Sequence, residues 1–211
     1  VEDNEEIQKY IVESFTDSFE VITANNGEEG TQQALSRIPD IVVSDIMMPV
    51  MDGITLCKQL KDDVRTSHIP IILLTAKDSL QDKEEGYEVG ADSYLTKPFS
   101  ASLLRSRINN LLDSRKKLVA QFQAQSTPGN QIDLSEKRIV IAEALSKLDN
   151  EFIEKITLLI EENLSSEKID INYLSDKMCM SGSTLYRKMK ALTGLSTNEY
   201  IRKVKMPVSY T

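Results

Sequence analysis

The stretch "IVVSDIMMPVMDG", residues 41–53, runs from three β-branched apolar residues into a carboxylate, Asp45, and then into two methionines and a proline. An apolar run without polar alternation reads as a strand covered on both faces, as in a parallel sheet flanked by helices. In open sheets of that kind ligands are held beyond the carboxyl ends of the strands, where loops converge and helix N-termini aim their N–H groups. An acid at such an end is therefore a candidate for chemistry, and Asp45 stands there.

The same pattern extends outward from this stretch. Short apolar strands are expected near 20–24, 41–45, 70–75 and 92–95, with helices over 5–15, 27–37, 53–62, 80–89 and from 100 onward. That alternation implies an α/β domain over residues 1–112. "IILLT" (71–75) is apolar up to its last residue, and Pro39 and Pro70 stand at strand entries, where a missing N–H costs little.

Three other strand ends are polar: Glu2 and Asp3 in "VED", Thr75 in "LLT", and Lys97 before Pro98 in "YLTKPF". Three carboxylates held close together repel and are driven toward protonation unless a cation lies among them. Mg²⁺ suits such a cluster, because it takes about six oxygens, keeps several waters and needs only one or two carboxylates with a carbonyl. Beside a divalent ion Asp45 is a candidate nucleophile toward a phosphoryl group whose equatorial oxygens Lys97 and Thr75 help neutralise. Taken singly, each residue has a plainer role as a cap, a turn or a satisfied hydroxyl. Their coincidence at four successive strand ends is what points to a site.

The segment from residue 100 carries Leu104, Ile108, Leu111, Leu118 and Phe122 in a heptad-like stripe, which fits either a helix packing on its own sheet or a signalling or dimer helix. "QSTPGNQ" (125–131) reads as a linker, and helices are expected beyond it over 133–148, 150–164, 171–178, 182–192 and 197–206. The domains so expected are 1–112, a helical extension and linker over 113–150, and a helical domain over 151–211.

Charge divides the chain in the same places. The net charge of −8 is made up of −10 over 1–112 and +1 in each of 113–150 and 151–211, and residues 177–205 alone carry +6. Cys57 and Cys179 lack metal-ligand or C-x-x-C spacing, so neither a zinc site nor a disulfide framework is expected, and a reducing cytoplasm is the default. No apolar run approaches the ~20 residues of a membrane helix, so direct membrane contact by this segment is not expected. The chain begins at Val1 without a signal peptide and reads as part of something longer.

"VEDN", "SDIMMPVMDG", "ILLTAK" and "GADSYLTKPF" resemble, in order and spacing, the receiver domain of two-component response regulators across residues 1–112. The resemblance implies a flavodoxin-like doubly wound parallel sheet of order 2-1-3-4-5. It implies phosphorylation of Asp45 by a histidine kinase domain, with Mg²⁺ held by Glu2, Asp3, Asp45 and the Met47 carbonyl. Thr75 and Tyr94 match the family's switch pair and Lys97 its phosphate-binding lysine, so a phosphoacceptor rather than an enzyme is expected. Of the family's central first strand only Val1 is present. A second class, the haloacid-dehalogenase-like phosphatases, also uses a strand-end Asp with Mg²⁺, but needs a second Asp where Met47 stands to act as general acid and base.

In "INYLSDKMCMSGSTLYRKMKALTG" (171–194), apolar Leu174, Met178, Leu185, Met189 and Leu192 flank a break at 179–182, as in two short helices joined by a tight turn. Ser175 is small enough for a close crossing, and Ser181 or Ser183 suits the cap of the second helix. That helix carries Arg187, Lys188 and Lys190 around Tyr186, a composition suited to a major groove. "MSGSTLYRKMKALTGLSTNEYIRKVKM" resembles the first helix-turn-helix of AraC-type transcription regulators. The resemblance implies DNA contacts by Ser181, Gly182, Ser183, Thr184, Arg187, Lys188 and Lys190. The family often has Arg where Gly182 stands and Pro where Thr197 stands. It also has a second reading unit, which this chain does not reach, so weak DNA affinity is expected of residues 1–211.

Together the two resemblances imply a transcription regulator switched by phosphorylation, dimerising on activation. The wider setting implied is the C-terminal part of a hybrid sensor whose upstream kinase is anchored in the inner membrane; a stand-alone regulator is the alternative.

Overall fold

The computed structural model describes residues 1–76, 89–124, 146–163 and 169–205; the side chains of Phe122 and Ala124 lie outside that description. The chain forms two compact units, Val1–Asp113 and Ser114–Thr211.

The first unit contains helices α1 (Glu5–Phe15), α2 (Gly27–Arg37) and α3 (Gly53–Asp62), and strands β1 (Val42–Asp45), β2 (Ile71–Thr75) and β3 (Ser93–Thr96). Helix α4 (Ala101–Ala124) begins here and continues past residue 113. The helices start where short polar side chains can accept orphan backbone N–H groups. Asn4 caps α1, Asn26 caps α2 and Asp52 caps α3, the last by accepting the Thr55 N–H at 2.6 Å.

Strands β1, β2 and β3 form one parallel sheet in that order, with Val42 opposite Ile71 and Leu74 opposite Leu95. Every residue of β2 is buried, and its side chains alternate between two cores. Ile71 and Leu73 join Leu56, Cys57, Leu60, Ala34 and Ile46 on one face, while Ile72 and Leu74 join Phe15, Leu95, Leu104 and Ile108 on the other. The unbroken apolar strand is thus explained by helices on both sides.

One expectation about the sheet needs correction: residues 20–24 form no strand among the described residues. The three parallel strands, adjacent in the order β1-β2-β3, have the 3-4-5 arrangement of the expected order 2-1-3-4-5. Val1 and Glu2 occupy the intervening place: the Val1 nitrogen donates to the Val43 carbonyl (2.7 Å), Asp45 N–H to Val1 (2.9 Å) and Glu2 N–H to Ala24 (3.0 Å).

The helix expected over 80–89 falls on residues outside the description apart from Val89, and the linker at 125–131, most of the helix at 133–148, Pro207 and the last residues fall outside it as well. The stripe on α4 is settled for its first part. Leu104 and Ile108 are buried in the core of the first unit with Leu111 packed against it, so these residues serve a helix on its own sheet.

The second unit contains α5 (Lys147–Glu161), α6 (Ile171–Lys177), α7 (Gly182–Thr193) and α8 (Thr197–Lys205). Helix α5 buries Phe152, Ile156 and Ile160, one residue per turn on one face. It also meets each later helix through a polar tie: Asp149 to Lys188 on α7, Thr157 Oγ1 to Tyr200 Oη on α8 (2.8 Å), and Asn163, just past its end, to Tyr173 on α6 (3.3 Å). Ser175 is buried, as its close-crossing role requires, and Ser181 caps α7 by accepting the Thr184 N–H at 3.1 Å. Among the described residues no helix is long and apolar enough to cross a membrane.

Candidate functional site

Asp45 ends β1 and is 8% exposed. Its Oδ1 accepts the Ile46 N–H at 2.8 Å, which fixes the carboxylate relative to the backbone and leaves Oδ2 directed at its neighbours. Lys97, one residue past β3, places its Nζ 2.8 Å from Asp45 Oδ2 and 2.8 Å from Glu2 Oε2. Burial by itself lowers the Lys97 pKa; its hydrogen bonds to Asp45 and Glu2, together with their charges, more than reverse this, so the net direction is upward. The ammonium therefore remains charged and holds two buried carboxylates together.

Glu2, Asp3 and Asp45 each offer a carboxylate oxygen, and these oxygens lie within 4.8 Å of one another. Glu2 and Asp45 are buried and Asp3 is exposed, so the cluster opens to solvent on one side. Hard oxygen donors at that spacing fit a hexacoordinate Mg²⁺ that retains water. Met47 lies two residues past β1, in a loop where Met47 (71% exposed) and Val50 (78%) stand out from the surface.

Thr75 ends β2 and is buried, with its Oγ1 3.2 Å from the Ala76 carbonyl. Tyr94, in β3, is half-buried and packs against the core formed with α2 and α3. Thus Asp45 and Thr75 end their strands, Lys97 directly follows β3, and Asp45 with Glu2 and Lys97 forms a directly bonded set beside Asp3.

Several positioning residues carried no obvious signal. Gly53 opens α3 where any Cβ would run into the Asp45 carbonyl, and its N–H donates to Ile46 at 2.9 Å. The Gly in "MDG" was the available sign, since close backbone approach demands that residue. Gln8, on α1, ties the Glu2 carbonyl (3.1 Å) to Asn25 Oδ1 (3.2 Å) and so braces the acidic pair from behind. Tyr10 accepts the Ala101 N–H at 2.9 Å, anchoring the start of α4 soon after Lys97. Neither tie is visible without the fold.

In the second unit Ser181, Ser183, Arg187 and Lys190 are exposed, and Gly182 and Thr184 are half-buried, on or beside α7. Lys188 departs from the expectation. It is fully buried, its Nζ lies 2.6 Å from Asp149 Oδ1 and 4.9 Å from the Phe152 ring centroid, and it cannot reach a duplex. At one residue per 100° the position after Arg187 turns back toward the helix bundle, so a run of basic residues cannot all face outward.

Residues 1–109 match the family described as response regulator receiver domain, and the chain belongs to that family. It is 34% identical over 207 residues to histidine kinase P4 of Formosa agariphila, covering 98% of this chain but 14% of that protein. It is 46% identical to the alkaline phosphatase synthesis transcriptional regulatory protein PhoP of Bacillus subtilis, over 44% of this chain and 38% of the relative. A solved structure described as a putative response regulator from Chloroflexus aurantiacus superposes with a TM-score of 0.51 at 35% identity, over 54% of this chain and 93% of that one. The chain thus spans well under half the length of these two curated relatives. The family is that of phosphorylatable receivers with transcription regulators among its members, and the phosphatase alternative finds no support.

Proposed function

We propose that this chain is a phosphorylation-controlled transcription regulator in which Asp45 accepts a phosphoryl group from a histidine kinase domain and the second unit reads DNA. The observation that carries the first half is the bonded set of Asp45, Lys97 and Glu2 beside Asp3 at the strand ends. Glu2, Asp3, Asp45 and the Met47 carbonyl would hold Mg²⁺, which supplies charge neutralisation for an entering phosphoryl group.

Asp45 Oδ2 is the attacking atom, since Oδ1 is held by the Ile46 N–H. The P–O bond to Asp45 forms as the P–N bond to the donor histidine breaks, and the imidazole leaves. Lys97 moves from pairing two carboxylates to pairing one phosphoryl oxygen, and the Thr75 hydroxyl donates to another. Thr75 and Tyr94 sit on adjacent strands, so a change at Thr75 reaches the Tyr94 ring through one layer of packing. That coupling would bias a dimer on activation.

The second half rests on α6 and α7, two capped helices joined by a tight turn at Met178–Ser181 in a basic segment. Exposed Ser183, Arg187 and Lys190, with Ser181, Gly182 and Thr184 at the helix start, form the DNA-facing set of an AraC-type reader. Lys188 is excluded. The likeness to a histidine kinase along nearly the whole chain supports a setting in which kinase, receiver and reader share one polypeptide.

Incubation with acetyl phosphate and Mg²⁺ tests the acceptor. A stoichiometric, base-labile gain of one phosphoryl group by mass, absent in Asp45→Asn, is expected; uptake that survives Asp45→Asn overturns it. A salt titration of binding to duplex DNA tests the reader, with Arg187→Ala and Lys190→Ala each expected to reduce the slope of log K against log salt by about 1.

A further inference from the structure

Lysine is rarely fully buried, and removing an ammonium and a carboxylate from water costs several kcal/mol each. Lys188 is nevertheless wholly inaccessible, and the Asp149 side chain is 4% exposed. Their bond joins the middle of α7 to the first turn of α5. Asp149 is itself held there, its N–H meeting the Ser146 carbonyl at 3.1 Å and the Ser146 hydroxyl at 3.2 Å. The helix N-terminus also favours the carboxylate.

Stability is a poor reason for such a pair, because apolar residues of similar volume in its place are commonly neutral or stabilising. What a hydrogen-bonded charge pair supplies is direction. The other buried side chains of α7 are Leu185, Met189, Leu192 and Thr193. Leu and Met side chains repack easily around a small rotation of a three-turn helix, whereas a 2.6 Å ion pair does not. Ser183, Tyr186, Arg187 and Lys190 fall at i, i+3, i+4 and i+7, the face turned away from Lys188's side of the helix. Rotating α7 by one residue's worth of arc would replace that set.

We infer that the Lys188–Asp149 pair is a positioning device that sets the rotation of α7 about its axis and so selects which side chains are presented to a duplex. The inference rests on the reading of α7 as a DNA-facing helix. Lys188 acts through Ser183, Arg187 and Lys190 and touches no nucleic acid itself.

The test is the double variant Asp149→Leu/Lys188→Met in the 211-residue chain, with three readouts. The thermal midpoint is expected to equal or exceed the parent's. Amide hydrogen exchange within α7 is expected to accelerate by ~10-fold or more relative to α5, because the helix loses its single orientation while the bundle persists. In selection from a random-sequence duplex pool, the parent's enriched consensus is expected to weaken while the slope of log K against log salt is kept, since the exposed phosphate contacts remain. A lowered midpoint marks the pair as an ordinary stabiliser and overturns the inference. So does exchange in α7 that matches the parent's, or an unchanged consensus. The exchange arm needs no DNA, so a parent chain that enriches no sequence counts against the DNA reader, while exchange still decides the role of the pair.

Discussion

Lys97 is the residue through which the first unit's acidic pocket is held together. Its ammonium bonds Glu2 and Asp45 at 2.8 Å each, and its pKa lies above the ordinary lysine value. A folded-state pKa raised in this way contributes stability that is complete below the unfolded value of about 10.4 and is lost as pH rises through the folded one. Lys97→Met should therefore lower the denaturant midpoint at neutral pH by an amount corresponding to about 1–3 kcal/mol, and the deficit should shrink as pH is raised past that window. A deficit that grows with alkaline pH would contradict the assignment. The two cysteines make a second residue-scale prediction. Burial pushes the Cys57 thiol up to about 11, whereas Cys179 is exposed in the turn before α7. A thiol reagent at pH 8 should modify one thiol rapidly, with Cys179→Ser removing the fast phase.

At the scale of elements, the junction of β1 and α3 determines whether Asp45 is presented. Asp52 caps the helix, and Gly53 allows its first turn to press on the Asp45 carbonyl. Gly53→Ala should cost about 1–3 kcal/mol, because a methyl group must displace backbone rather than a flexible side chain. It should also slow phosphoryl uptake more than stability alone explains; thermal melts paired with acetyl phosphate labelling separate the two. The signal for this junction was present in "MDG", yet only the close approach of the two backbones gives the glycine its reason. The sheet shows the opposite case. The apolar pattern of 20–24 matches a strand, yet the segment is not one: the Ala24 carbonyl accepts the Glu2 N–H at 3.0 Å, and local propensity by itself does not make a ladder.

At the scale of the whole molecule, an acidic α/β unit and a helical unit with a basic segment are joined in one chain. Any ligand that binds only the folded first unit raises its stability by mass action, by about 2.7 kcal/mol at a hundredfold excess over Kd. Mg²⁺ should therefore raise the thermal midpoint of the chain, and Asp3→Ala and Asp45→Ala should each reduce that rise; a rise in both variants as large as the parent's would exclude the Glu2, Asp3 and Asp45 cluster as the binding site. The α/β class, the described helices apart from the start of α5, which runs unbroken through the gap expected at 149, and the placement of Asp45, Thr75 and Lys97 at or next to strand ends were determined by the sequence itself. Apolar periodicity and capping residues act locally, and their signal is present in any short window. The fate of Lys188 and the bracing by Gln8 and Tyr10 were decided only by the tertiary structure. Each depends on a partner distant along the chain, such as Asp149 for Lys188, and a charge in a helical segment carries no mark of which way it turns until that partner is in place.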